Sequence, residues 1–115
     1  MTQEWLLKTL VSLGLSQTEA EIYVLLSTEG SKRARSIANA LTTERHQIYR
    51  SLRNLKGMQV IIVSSNQPKL FSAVPFDEVL MRFVEVKKDQ AEDLQNSRDR
   101  LLSRWRTFIE EKKGV

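Results

Sequence analysis

The sequence predicts a mainly α-helical (α+β) chain: a winged helix-turn-helix with an N-terminal helix before it and a long C-terminal coiled-coil helix after it. Three observations predict this class. Residues 43–56 form a short amphipathic helix with Ile48, Leu52 and Leu55 on one face and His46, Arg50 and Arg53 on the other. A second short helical segment stands just before it. A hairpin pattern follows it, with a β-branched run at 60–63, an Asn66-Gln67-Pro68 turn signal, and a second strand candidate at 70–74 closed by Pro75.

Over residues 2–13, Trp5, Leu6, Leu10 and Leu13 fall at helical spacing, and Gly14 ends the segment. Ser16 opens the next helix with Glu19 three residues on, the spacing of a capping box, and Leu15 precedes it as a staple. Ile22, Tyr23 and Leu26 form its inward stripe, and Gly30 breaks it. A short helix over 33–41 turns Ile37, Ala38 and Leu41 inward, and alanines at 34, 38 and 40 allow close approach. Thr42 and Thr43 suit a turn and the N-cap of the following helix, with Glu44 in its first turn.

From Phe76 to Lys113 no glycine or proline interrupts, which predicts a rod of roughly 55 Å. Positions 80, 84, 87, 91, 94, 98, 101, 105 and 108 are apolar except for Lys87 and Arg98. A 4-3 spacing held this long predicts packing against another helix, most simply that of a second copy. Leu80, Val84, Ala91, Leu94, Leu101, Trp105 and Phe108 are therefore expected at a dimer interface, joined by Trp5 and Leu6 of the first helix. The expected division is residues 1–75 as the winged helix-turn-helix domain and 76–115 as the dimerisation helix.

At 115 residues the chain holds one compact domain and an appendage. It has no cysteine and one histidine, which removes disulfides, thiolate chemistry and multi-histidine metal sites. No glycine-rich phosphate loop and no nucleophile with a partner is present, so neither enzyme activity nor a cofactor is expected, and Asp77 with Glu78 reads as the acidic first turn of a helix. No apolar run has the length of a membrane span and no export signal precedes the first helix, so a cytoplasmic protein without a membrane partner is expected.

The net charge of +4 is unevenly placed. Between residues 31 and 56 stand Lys32, Arg33, Arg35, Arg45, Arg50, Arg53 and Lys56 against the single acid Glu44. That segment carries +6 and the rest of the chain −2. A positive field concentrated in this way attracts a polyanion, and double-stranded DNA is the expected partner. On the helix over 43–56, Thr43, His46 and Gln47 occupy the N-terminal turns that enter a groove deepest, and Arg45, Arg50 and Arg53 reach base edges or phosphates. Tyr49 sits at the boundary of the buried face, as a core ring with its hydroxyl on a phosphate or as a purely structural residue. Lys32, Arg33 and Arg35 suit phosphate clamping. Ser65, Asn66, Gln67 and Lys69 form the tip of the wing, which brushes the minor groove or its backbone or is a plain solvent hairpin.

Four motifs occur in order over about residues 10–80: Leu13-Gly14-Leu15-Ser16-x-x-Glu19-Ala20-x-Ile22-Tyr23, Ala34-Arg35-x-Ile37-Ala38, Ile48-Tyr49-x-x-Leu52-x-x-Leu55 and Pro68-Lys69-x-Phe71-x-Ala73-Val74-Pro75. Together they resemble the DNA-binding half of the TrmB family of archaeal transcription regulators. The resemblance implies a homodimeric winged helix that binds palindromic promoter DNA, with the helix after the wing serving dimerisation. Against the family pattern, Arg33 stands where a threonine cap is usual, Glu44 where proline often opens the reading helix, and Gln59 where glycine usually ends it. Gly57 is the replacement stop. No small-molecule effector domain is evident in the sequence. The reading is a sequence-specific transcription regulator; the alternatives are an architectural, chromatin-like DNA binder and a winged-helix protein-interaction adaptor.

Overall fold

Every helix of the N-terminal part begins or ends on a local hydrogen-bonding device. Ser16 Oγ accepts from Glu19 N–H at 3.1 Å while Glu19 Oε1 accepts from Ser16 N–H at 2.9 Å, which completes the capping box. The structure, a computed structural model, describes residues 2–114. Its elements run α1 (Gln3–Ser12), α2 (Gln17–Glu29), α3 (Ala34–Leu41), α4 (Arg45–Gly57), β1 (Ile61–Val63), β2 (Phe71–Ala73), α5 (Phe76–Asn96) and α6 (Arg98–Lys113). They form two compact units, Met1–Val79 and Leu80–Val115.

In the first unit α1, α3 and α4 end on the same motif. Each closes with one N–H bonded back to the carbonyl five residues earlier and another to the carbonyl three residues earlier. The motif needs one residue at positive φ, and Gly14 at 121°, Thr42 at 52° and Gln59 at 63° supply it. Two expectations are corrected here. Thr42 and Thr43 close α3 and do not cap α4: Thr43 N–H donates to the Ala38 carbonyl, and the Thr43 hydroxyl donates to the Leu41 carbonyl at 3.1 Å. Gly57 is the last residue of α4 and not its stop, because Gln59 takes the left-handed position despite its side chain. Arg33 and Glu44 occupy the N-cap positions of α3 and α4 without a side-chain capping bond, so α4 starts at Arg45, two residues later than predicted.

The hairpin pairs Ile61 with Ala73, Ile62 with Ser72 and Val63 with Phe71, antiparallel. Lys32 adds a bridge from a third segment of chain to β2, its N–H and carbonyl bonded to the backbone of Phe71 at 3.0 and 2.8 Å. Ser64 closes the loop, its hydroxyl accepting from Leu70 N–H at 2.9 Å. Leu10, Ile22, Ile37, Ile48, Leu52, Leu55, Val60 and Val79 are fully buried, so α1 to α4, the residue before β1 and the start of α5 share one apolar core. Each such side chain contributes about 1.5–3 kcal/mol relative to exposure. Tyr23 lies in that core and its hydroxyl donates to the Val74 carbonyl at 2.6 Å, tying α2 to the exit of the wing. Of Ile37, Ala38 and Leu41, expected inward on α3, the first two are buried and Leu41 is only half-buried; of the alanines, Ala34 and Ala38 are buried and Ala40 is exposed.

The second unit is helical. The expected uninterrupted rod is divided at Ser97, with φ −99° and ψ 2°. Ser97 N–H still bonds to the Asp93 carbonyl at 3.0 Å and Leu101 N–H to the Ser97 carbonyl at 2.9 Å, so the helical ladder carries across the division. Asn96 and Ser97 are adjacent residues whose side chains compete for backbone hydrogen bonds, which makes both weak helix formers.

Candidate nucleic-acid interface

The 4-3 spacing of Ile48, Leu52 and Leu55 fixes how α4 lies. With these three and Ser51 buried, Arg45, His46, Tyr49, Arg50 and Arg53 stand exposed on the opposite side. Tyr49 is 51% exposed, which decides its two readings against a core ring. The interface candidates are thus brought onto one face, flanked by two clefts.

The first cleft, about 310 Å³, is lined by Arg33, Ala34, Arg35, Tyr49, Gln67, Pro68, Lys69 and Phe71. It joins the start of α3, the middle of α4 and the wing, with three cations at its rim. The N-terminus of α3 adds free backbone N–H groups because Arg33 supplies no capping acceptor. The second cleft, about 480 Å³, lies between the start of α2 and α4 and includes Thr18, Glu19, Gln47, Arg50 and Asn54. Here Gln47 Nε2 donates to Thr18 Oγ1 at 3.1 Å and Asn54 Nδ2 donates to Glu19 Oε2 at 3.2 Å. These bonds hold α4 in its rotation about its own axis. Thr18, Glu19 and Asn54 as a network escaped the sequence reading, since the partners lie 29 and 35 residues apart and no local pattern joins them.

The electrostatics are one-sided. Among the described residues, no carboxylate lies within ion-pair distance of Arg33, Arg35, Arg45, Arg50, Arg53 or Lys69. His46 Nδ1 is 3.2 Å from Glu44, and Lys32 Nζ is 3.2 Å from Glu29 with its side chain only 23% exposed. Lys32 is therefore the least available of the candidate cations. Thr43 is half-buried beside the α3 turn, while Asn66, Gln67 and Lys69 are exposed on the wing. No group of three or more His, Cys, Asp or Glu side chains among the described residues is placed to hold a metal ion, and no helix is long and apolar enough to cross a membrane.

Residues 10–77 match the family model described as "Sugar-specific transcriptional regulator TrmB". The chain belongs to the TrmB family. The winged helix-turn-helix of this TrmB chain recurs in solved structures. TrmBL2, an archaeal chromatin protein whose structure shows a novel mode of DNA binding, superposes with a TM-score of 0.80 at 15% identity, over 96% of this chain and 42% of that one. The TrmB chain thus spans less than half the length of that relative. A possible transcriptional regulator from Methanosarcina mazei gives 0.65 at 11% identity, over 78% and 82% of the two chains. A transcriptional regulator from Thermotoga maritima gives 0.56 at 18%, over 94% and 80%. No curated protein matches the chain.

Proposed function

We propose that this TrmB-family chain binds duplex DNA sequence-specifically as a homodimer, with α4 in the major groove. The observation that carries the reading is the exposed face of α4, whose arginines have no acidic partner among the described residues. His46, Arg50 and Arg53, one turn apart, address base edges; Arg50 or Arg53 makes two parallel bonds to a guanine. Gln47 reads from beside them with its amide steadied by Thr18. Arg33, Arg35, Tyr49 and Lys69 around the first cleft hold phosphates, with Asn66 and Gln67 of the wing beside the backbone. Residues 1–75 form the DNA-binding domain and 76–115 the dimerisation helix. Leu80, Val84, Ala91, Leu94, Leu101, Trp105 and Phe108 pair as a coiled coil with those of a second copy, aided by Trp5 and Leu6. Trp105 and Leu94 are 60% and 64% exposed in the single chain, a degree of apolar exposure that a partner helix would relieve. A dimer serving a palindrome places its reading helices about 34 Å apart, one DNA turn.

Selection of bound fragments from a genomic library by the purified chain, repeated at two salt concentrations, tests this. A recurrent palindrome bound more weakly at the higher salt is expected. A second reading, a chromatin-like binder of low specificity, is favoured by the superposition on TrmBL2. It keeps the phosphate contacts and loses the base contacts, so unselective recovery of fragments would decide for it.

A further inference from the structure

Gln47 and Asn54 stand two turns apart on α4, so at about 100° per residue they project along one edge of the helix. That edge meets the first turn of α2. Gln47 Nε2 donates to Thr18 Oγ1 at 3.1 Å, and Asn54 Nδ2 donates to Glu19 Oε2 at 3.2 Å. The Ser16–Glu19 capping box fixes the backbone of the turn that presents Thr18. Gln47 is half-buried and belongs to the first turn of α4, the end of a reading helix that meets base edges.

We infer that Thr18, on α2 and outside the reading helix, is a specificity-determining positioning residue: it orients the Gln47 amide so that Gln47 selects adenine. This rests on the base-reading role of α4 proposed above. A primary amide has two N–H donors and one carbonyl acceptor. With one N–H of Gln47 committed to Thr18, one N–H and the carbonyl oxygen are left for the groove. Adenine presents an acceptor, N7, beside a donor, its N6 amino group, and satisfies both at once. Guanine presents two acceptors, O6 and N7, and needs both N–H groups. Cytosine offers a donor alone, and thymine an acceptor and a methyl group. An amide turned over, its oxygen accepting from the Thr18 hydroxyl, would instead face the groove with two donors and select guanine. Without the Thr18 hydroxyl the amide turns freely about its last side-chain bond, and the preference spreads over several bases.

Selection from a randomised duplex library by the purified full chain, followed by titration of duplexes carrying each base at one position, tests this. Gln47→Ala identifies the position that Gln47 reads. There the parent is expected to favour adenine by about tenfold. Thr18→Val keeps the shape of the side chain and removes its hydroxyl. It should reduce that preference to about threefold or less, while circular dichroism and affinity for a random duplex stay unchanged. Thr18→Ser retains the hydroxyl and should retain the preference. Guanine at the Gln47 position, no position altered by Gln47→Ala, or an adenine preference that survives Thr18→Val overturns the inference and leaves base reading by the arginines of α4 standing. Equal loss of preference in Thr18→Ser and Thr18→Val contradicts a role for the hydroxyl. Selection without preference at any position refutes base reading itself, and the inference with it.

Discussion

Glu19 is the residue on which the placement of α4 can be tested most sharply. The residue is 7% exposed and its carboxylate accepts two separable bonds, one from Ser16 N–H at 2.9 Å and one from the Asn54 amide at 3.2 Å. Glu19→Ala removes both. Loss of a capping interaction costs about 1 kcal/mol. A hydrogen bond to a carboxylate contributes about 1.5–3 kcal/mol, and the lower end applies to a 3.2 Å bond from an exposed amide. The total is about 2–2.5 kcal/mol, on the order of 10–15 °C in melting temperature for a domain of this size. Asn54→Ala alone should cost about 1 kcal/mol, and the double variant less than the two together, leaving a coupling of about 1 kcal/mol. Urea unfolding of the four proteins, with unchanged m-values, measures it. Glu4→Ala, at an exposed ion pair with Lys8, serves as the neutral control. A loss below about 0.5 kcal/mol for Glu19→Ala, or strict additivity of the pair, would refute the reasoning.

Arg33→Thr gives α3 the capping oxygen it lacks and should raise stability by about 1 kcal/mol, while DNA affinity falls through loss of a cation at the first cleft; melting and gel-shift titration of one preparation check both. Gln59→Gly relieves the φ of 63° at the end of α4 and should stabilise by about 0.5–1 kcal/mol, net of the flexibility glycine adds to the unfolded chain, as read by denaturant midpoint. Tyr23→Phe leaves the Val74 carbonyl without its partner and should cost about 1–2 kcal/mol at neutral pH. Burial, with the Asp77 charge adding to it, raises the Tyr23 pKa above its ordinary 10.0 against a smaller opposing pull from Ser27. The folded value exceeds the unfolded one, so this contribution is whole below about pH 10 and is lost as pH rises through the folded value. The parent should therefore lose stability more steeply than Tyr23→Phe in an alkaline series.

What the sequence revealed was what is written locally. The Ser16–Glu19 capping box, the Ile48, Leu52, Leu55 stripe and the hairpin between Ile61 and Ala73 each depend on residues a few positions apart, or on a turn signal between two short runs. The ends of α3 and α4 were misread for a physical reason. Thr42 and Gln59 adopt a backbone region that side chains disfavour, held there by the hydrogen bonds that close each helix, whereas the residue types alone point to a cap at Thr43 and a stop at Gly57. The division at Ser97 was hidden because neither glycine nor proline marks it. The bonds from α2 to Gln47 and Asn54 exist only once the core has brought α2 against α4, so no window of sequence contains them. The exposed arginines of α4 were legible from periodicity, but their freedom from acidic partners is a property of the folded chain.

The central claim is that the exposed face of α4 reads bases while the wing holds the backbone. Its most direct test is the affinity of Arg50→Ala and Lys69→Ala for a selected duplex and for a random one. Arg50→Ala should lose about 1–3 kcal/mol on the selected duplex and little on the random one, whereas Lys69→Ala should lose the same on both. Equal losses on the two duplexes for every exposed change on α4 would contradict base reading.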